Sequence, residues 1–144
     1  MNAKMKDQPQ FSIGEVAARA ECQVQTVRYY EQVGILPQPA RTEGGQRQYT
    51  AEHLDRLLFV RRSRELGFSL DTVRRLLRLA DKQEDDCSTV DSITTAHLRE
   101  VQQKISHLRT LERELKRMVA ECNHGKIADC RIIQGLARIG PSKP

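Results

Sequence analysis

Apolar and polar positions along the first eighty residues repeat at a helical period. In "FSIGEVAARA", Ile13, Val16, Ala17 and Ala20 fall on one face of a helix. Ser12 stands just ahead as an N-cap, and Glu15, three residues on, can reach back to the cap's own N–H to complete a capping box. After the break "ECQ", the run "VQTVRYYEQVG" predicts a second helix ended by Gly34 at the C′ position. Two short helices joined by a tight turn make a helix-turn-helix. The segment "ILPQPARTEGGQRQYT", with two prolines and a Gly-Gly pair flanked by arginines, reads as a hairpin or wing. Thr50 then caps "AEHLDRLLFVRRSREL", whose apolar face is Leu54, Leu57, Leu58, Val60 and Leu66 and which Gly67 stops. Ser69 caps "LDTVRRLLRLA", carrying Leu70, Val73, Leu76, Leu77 and Leu79.

The acidic run "DKQEDD" interrupts this pattern just before Cys87, and from Thr89 to Cys122 there is neither proline nor glycine. A heptad frame fits the stretch. Leu98, Val101, Ile105, Leu108, Leu115, Val119 and Cys122 take the a and d positions, and Glu112 is the one misfit. An intramolecular hairpin could cover such a seam, but the roughly 20 residues that follow are few and interrupted, which favours a coiled coil with a second copy.

Composition agrees with a shared core. Hydrophobic residues make up 38% of the 144, aromatics 4%, and there is no tryptophan, so a helical homodimer is expected. Lys and Arg outnumber Asp and Glu by 24 to 19, for a net charge of +5, and arginine between Arg41 and Arg78 supplies a candidate positive face for double-stranded DNA. No apolar run approaches the roughly 20 residues of a membrane helix, and "MNAKMKDQPQ" lacks the apolar stretch of a signal peptide, so a cytoplasmic protein without membrane contact is expected. In that reducing compartment the four cysteines read as ligands, reactive thiols or small buried hydrophobes rather than disulfides.

A recognition helix presents polar and cationic side chains from its first turns to the major groove. In "QTVRYYE", Gln25, Thr26, Arg28 and Tyr29 suit that task, with Val27 as the anchor to the neighbouring helix. Arg47 and Tyr49, beyond the Gly-Gly turn, are candidates to bring the wing to the phosphate backbone. The order of "TVRYYE", "GILP", R-x-Y in the wing and "GFSLDTVRRLL" resembles the winged DNA-binding domain of the MerR family of transcriptional regulators. That resemblance implies a homodimer on a pseudo-palindromic operator within a promoter of over-long spacing. Bending and untwisting of the DNA in the induced state would let RNA polymerase use the promoter, and the same protein would repress without inducer.

"CNHGKIADC" places Cys122 and Cys130 at the two ends of a loop, where thiolates can grip a soft cation such as zinc, cadmium, mercury or lead. Cys122 also reads as a small core residue at a d position. If the helix between is continuous, Cys87 and Cys122 of one chain stand about 50 Å apart. In an antiparallel pair, Cys87 of one subunit meets the Cys122 and Cys130 loop of the other, giving two sites across the interface. The resemblance implies the same set: relatives that sense divalent soft ions carry a cysteine where Cys87 stands, and copper and silver sensors carry serine. Three thiolates suit mercury, lead or cadmium, while zinc wants a fourth donor, for which His124 is the candidate and a solvated loop residue the alternative. The loop departs from many mercury and zinc sensors, whose loops are longer, and "EC" stands where zinc sensors often have two adjacent cysteines. His97 and His107 fall outside the seam and read as surface residues, and Cys22 as structural.

The expected architecture is all-α: a flexible N-terminus over residues 1–10, a winged helix-turn-helix over 11–80, a linker and antiparallel dimerisation helix over 81–121, and a metal-binding loop and tail over 122–144. A metal-responsive regulator of heavy-metal resistance genes fits best. A thiol redox or electrophile sensor on the same scaffold, with Cys87 or Cys122 oxidised or alkylated, is the alternative. A zinc hydrolase is disfavoured, since no HExxH, paired catalytic carboxylates or water-activating set accompanies the cysteines, and no enzyme activity is expected.

Overall fold

Capping chemistry decides where each helix begins and ends in the computed structural model, which describes residues 8–138. Of the N-terminal segment expected to be flexible, residues 1–7 lie outside the described residues. The order of elements is β1 (Gln10–Phe11), α1 (Ile13–Arg19), α2 (Val24–Gln32), β2 (Ala40–Arg41), β3 (Arg47–Thr50), α3 (Ala51–Glu65), α4 (Leu70–Ala80), α5 (Ser88–Ala120), a 3-10 turn (Ile127–Asp129) and α6 (Arg131–Arg138). They fall into two compact units, one ending at Asp91 and the other beginning at Ser92.

In the first unit Ser12 Oγ accepts the Glu15 N–H at 3.1 Å, and Ser69 Oγ accepts the Thr72 N–H at 3.2 Å. The Glu15 carboxylate takes a bond from the Ser12 hydroxyl instead of the cap's N–H, so that box is closed through side chains. At α3 the box uses histidine: His53 Nδ1 accepts the Thr50 N–H at 3.1 Å, which leaves Nε2–H to donate to the Pro37 carbonyl at 3.1 Å. Three helices end in the same way. The N–H groups of Cys22, Ile35 and Phe68 bond back to the carbonyls of Ala17, Tyr30 and Ser63, with Glu21, Gly34 and Gly67 in the left-handed region at φ +54°, +80° and +88°. Glycine accounts for the last two; Glu21 is held there while its carboxylate pairs with Arg61.

Phe11, Val16, Ala17, Ala20, Val27, Leu36, Tyr49 and Leu57 form the core of this unit. A small antiparallel sheet of order β1-β3-β2 closes one side, with Phe11 opposite Tyr49 and Arg41 opposite Arg47. The expectation of an all-α fold therefore stands for a mainly helical protein with a three-stranded sheet. Leu66, placed on the apolar face of α3, is instead 67% exposed: the chain reverses at Gly67 and buries Phe68 in its stead.

The second unit is dominated by α5, a helix of 33 residues that buries none of its side chains in one chain. Leu98, Ile105, Leu108, Leu115 and Val119 all stand exposed along the expected seam. Beyond it, α6 adds an amphipathic helix of 8 residues that the sequence reading left as loop and tail, with Ile133 and Leu136 exposed.

Candidate nucleic-acid interface and thiol positions

Helical periodicity turns Val24, Val27 and Glu31 of α2 inward and leaves Gln25, Arg28 and Tyr29 exposed, with Thr26 half-buried. Val27 is fully buried and anchors the helix as expected. Four candidate recognition side chains thus share the outer surface of one short helix.

Glu31 was not anticipated. Its carboxylate is 5% exposed, and it accepts a hydrogen bond from the Tyr49 hydroxyl while standing 3.3 Å from Arg47 Nε. A carboxylate at that depth requires compensation from donors and cations, and β3 supplies both. Burial, then the bond to Glu31, pushes the Tyr49 phenol well above its ordinary range. This corrects one expectation: Tyr49 is fully buried and packs edge-on to His53, so it is a core residue that holds the wing and offers no surface to phosphate. Arg47 keeps about a third of its side chain exposed.

The turn ahead of Arg47 is preformed. Thr42 N–H donates to the Gln46 carbonyl at 2.8 Å, the Gln46 N–H to Thr42 Oγ1 at 3.1 Å, and Arg41 Nη1 to the Gly45 carbonyl at 2.9 Å. Gly45 adopts φ +82°, a backbone state that suits glycine.

Much of the arginine expected to make a positive face is engaged within the fold. Arg56 pairs with Asp81, Arg61 with Glu21 and Glu65, Arg64 donates to the Phe68 carbonyl, and Arg74 donates to the Val33 carbonyl at the end of α2. Arg28, Arg41, Arg62, Arg64, Arg75 and Arg78 are exposed and make no ion pair among the described residues, so they and the part-exposed Arg47 contribute to the cationic surface.

The thiols sit at opposite ends of α5. Cys87 precedes its first residue, is exposed, and borders an apolar cleft lined by Phe59, Leu76, Leu79 and Val90. Asp86 beside it accepts the Ser88 N–H at 2.9 Å; hydrogen bonds from the Ser88 side chain and backbone hold its carboxyl below the usual range. Cys122 and Cys130 are half-buried and flank the loop. Asn123 braces that loop, its Oδ1 accepting the Gly125 N–H at 3.2 Å and its Nδ2 donating to the Asp129 carbonyl at 3.3 Å. His124 is exposed, with a left-handed backbone at φ +53°. Among the described residues no three His, Cys, Asp or Glu side chains of one chain converge to hold a metal ion. The cysteines are free thiols, a soft donor type, and the loop of one chain offers two of them. Cys22 packs against the core, where burial pushes its thiol up. His107 is exposed as expected; His97 is half-buried, its Nδ1 3.7 Å from Glu100.

The profile of the MerR HTH family regulatory proteins matches residues 11–80, and a second, described as MerR DNA-binding, matches residues 54–118. The chain belongs to the MerR family of helix-turn-helix regulators. It is 38% identical to the mercuric resistance operon regulatory protein of Bacillus cereus, over 89% of this chain and 98% of that one. It is 38% identical to the HTH-type transcriptional regulator ZntR of Escherichia coli K12, over 88% and 92%. Among solved structures it is similar to the transcription regulator PbrR691 of Ralstonia metallidurans CH34 in complex with lead(II), with 44% identity, a TM-score of 0.78, and coverage of 88% and 98%.

Within the MerR family these relatives are transcriptional regulators rather than enzymes. No helix among the described residues is long and apolar enough to cross a membrane. The buried carboxylate that the sequence reading passed over, Glu31, carried a signal: it lies four positions after Val27, on the helix face that Val24 and Val27 turn inward.

Proposed function

We propose that this MerR-family regulator is a homodimer that switches promoter DNA between repressed and activated forms when a soft divalent ion joins Cys87 of one subunit to Cys122 and Cys130 of the other. Residues 11–80 bind DNA through Gln25, Thr26, Arg28, Tyr29 and Arg47, residues 81–121 dimerise, and residues 122–144 carry the loop. The observation that carries the reading is α5 itself: 33 continuous residues, about 50 Å long, with Cys87 before its start, Cys122 after its end and an uncovered apolar seam between. One chain's own thiols cannot meet across that length, and a second copy can cover the seam.

Charge along α5 favours an antiparallel arrangement. Parallel helices in register would set the two Glu112 carboxylates against each other and Lys104 beside the partner's Arg109, both repulsive. Antiparallel layers set Ile105 against the partner's Leu108, Val101 against the partner's Glu112, and Leu98 against the partner's Leu115. That register brings Cys87 level with the partner's Lys126, midway along the loop between Cys122 and Cys130. Lys104 then faces the partner's Leu111. A bound soft ion supplies the attraction that holds three thiolates together; the chain's part is to present two sulfurs on a braced loop and the third at the foot of a helix rigid enough to transmit the shift.

Relatives named for mercury, zinc and lead make a divalent soft ion the reading for this chain. With three cysteines and no fixed fourth donor, mercury, lead or cadmium fits a trigonal set, and zinc would recruit His124. Anaerobic titration of the purified protein with mercury, lead, cadmium and zinc tests this. One tightly held ion per subunit, lost in Cys87→Ser, is the expected result. Thiol oxidation by diamide that changes DNA binding, with no tight metal, would instead establish a redox sensor.

A further inference from the structure

We infer that Glu31 is a positioning residue for DNA recognition, holding wing Arg47 in a fixed pose beside the recognition helix so that its exposed guanidinium edge meets phosphate without having to be ordered first. Three observations carry this. Glu31 lies in α2, the helix that exposes Gln25, Arg28 and Tyr29, yet its own carboxylate is buried. Its two oxygens are divided between functions: Oε1 takes the Tyr49 hydroxyl, a buried bond within the core, and Oε2 faces Arg47 Nε at 3.3 Å, an ion pair on a side chain still a third exposed. The contact joins residues 16 apart in the chain, from recognition helix to wing strand, and the wing turn on the other side of Arg47 is closed by its own hydrogen bonds.

Arginine in solution samples many rotamers, and binding to a phosphate freezes them. A carboxylate 3.3 Å from the buried Nε restricts those rotamers in advance, while about a third of the side chain stays exposed, and so removes much of that freezing cost. Tyr49 meanwhile holds the carboxylate, so the pose of Arg47 is referred to the core of the domain. The inference rests on the reading that Arg47 meets the DNA backbone, and the test tells failure of the inference alone from failure of that reading.

The test is a double-mutant cycle of Glu31→Gln and Arg47→Ala. The probe is a duplex that the unmodified protein selects from a random pool, and affinities are corrected for the folded fraction seen by circular dichroism. Arg47→Ala should weaken binding and reduce the slope of log affinity against log salt by about 1, the mark of one lost phosphate contact. Glu31→Gln keeps an acceptor for Tyr49 but no charge for Arg47. It should weaken binding about two- to tenfold, the equivalent of ordering one long side chain, and should do so only where Arg47 is present. Tyr49→Phe keeps the charge on Glu31 but removes its anchor to the core; it should lower the thermal midpoint and weaken binding less than Glu31→Gln does, again only where Arg47 is present. An equal effect of Glu31→Gln in the Arg47→Ala background would make Glu31 merely structural and overturn the inference. An unchanged salt slope in Arg47→Ala would overturn the phosphate contact, and the inference with it.

Discussion

Replacing Glu112 by leucine probes the seam of α5 at its one discordant position. Glu112 falls at an a position between Leu108 and Leu115, and in one chain its side chain is 64% exposed, with its carboxylate 3.7 Å from Lys116 one turn on. Losing that exposed pair costs at most about 0.5 kcal/mol. If the partner covers the seam, a leucine there is buried on association, which contributes roughly 1.5–3 kcal/mol, less about 0.5–1 kcal/mol for its lost rotamers. The net gain is about 1–2 kcal/mol per chain and, since each dimer holds two such residues, about 2–4 kcal/mol per dimer. At 1.4 kcal/mol per tenfold, the dissociation constant should tighten by roughly thirty- to several-hundred-fold. Sedimentation equilibrium of the metal-free protein over a dilution series measures it. An unchanged or weaker dissociation constant would mean that Glu112 faces solvent in the assembled protein and that the seam has been misread.

Other outcomes follow from the same geometry. Lys104→Glu should leave dimer affinity within about twofold, because an antiparallel partner offers Leu111 there; a parallel pair would gain two attractions to Arg109 and tighten several-fold in the same sedimentation assay. The Tyr49 phenol, raised by burial and by Glu31, contributes stability that is complete below the ordinary tyrosine range and is lost as pH rises towards its folded value. Absorbance at alkaline pH should therefore show a tyrosine that ionises only with unfolding, a step absent in Tyr49→Phe. Asp86 is shifted the other way, downward, so its support for the start of α5 is present above the ordinary aspartate range and lost as pH falls through its folded value. Protection of the Ser88 amide, measured relative to its intrinsic exchange rate, should fall as pH drops through the Asp86 value, and Asp86→Asn should remove that change in protection.

Local chemistry made the helices of this chain legible. Ser12, Thr50 and Ser69 cap where the sequence says they should, and Gly34 and Gly67 end α2 and α3 because a left-handed residue lets the next N–H return to the helix. Long-range pairing was not legible. β1 is two residues long and finds its partner some forty positions away, so no local alternation announces it. That pairing draws Tyr49 inward, which is why a residue resembling a wing contact became part of the core. Arginine was misjudged for a related reason: composition counts charges, whereas the fold engages Arg56, Arg61, Arg64 and Arg74 in holding helix ends and neighbouring elements together. The cysteine arrangement was readable only as a spacing. Its meaning depends on a second chain, which local spacing in one chain does not place.

The claim that thiols meet between subunits can be tested by mixing two damaged proteins. One carries Cys87→Ser with its loop intact; the other carries Cys122→Ser and Cys130→Ser with Cys87 intact. Differently tagged, the two are unfolded together, refolded and purified as the mixed dimer, then titrated with lead(II) while the ultraviolet band of three-thiolate coordination is recorded. The account predicts one three-thiolate site per mixed dimer and none in either parent. A mixed dimer without that band, or the band intact in the Cys87→Ser parent, would contradict it.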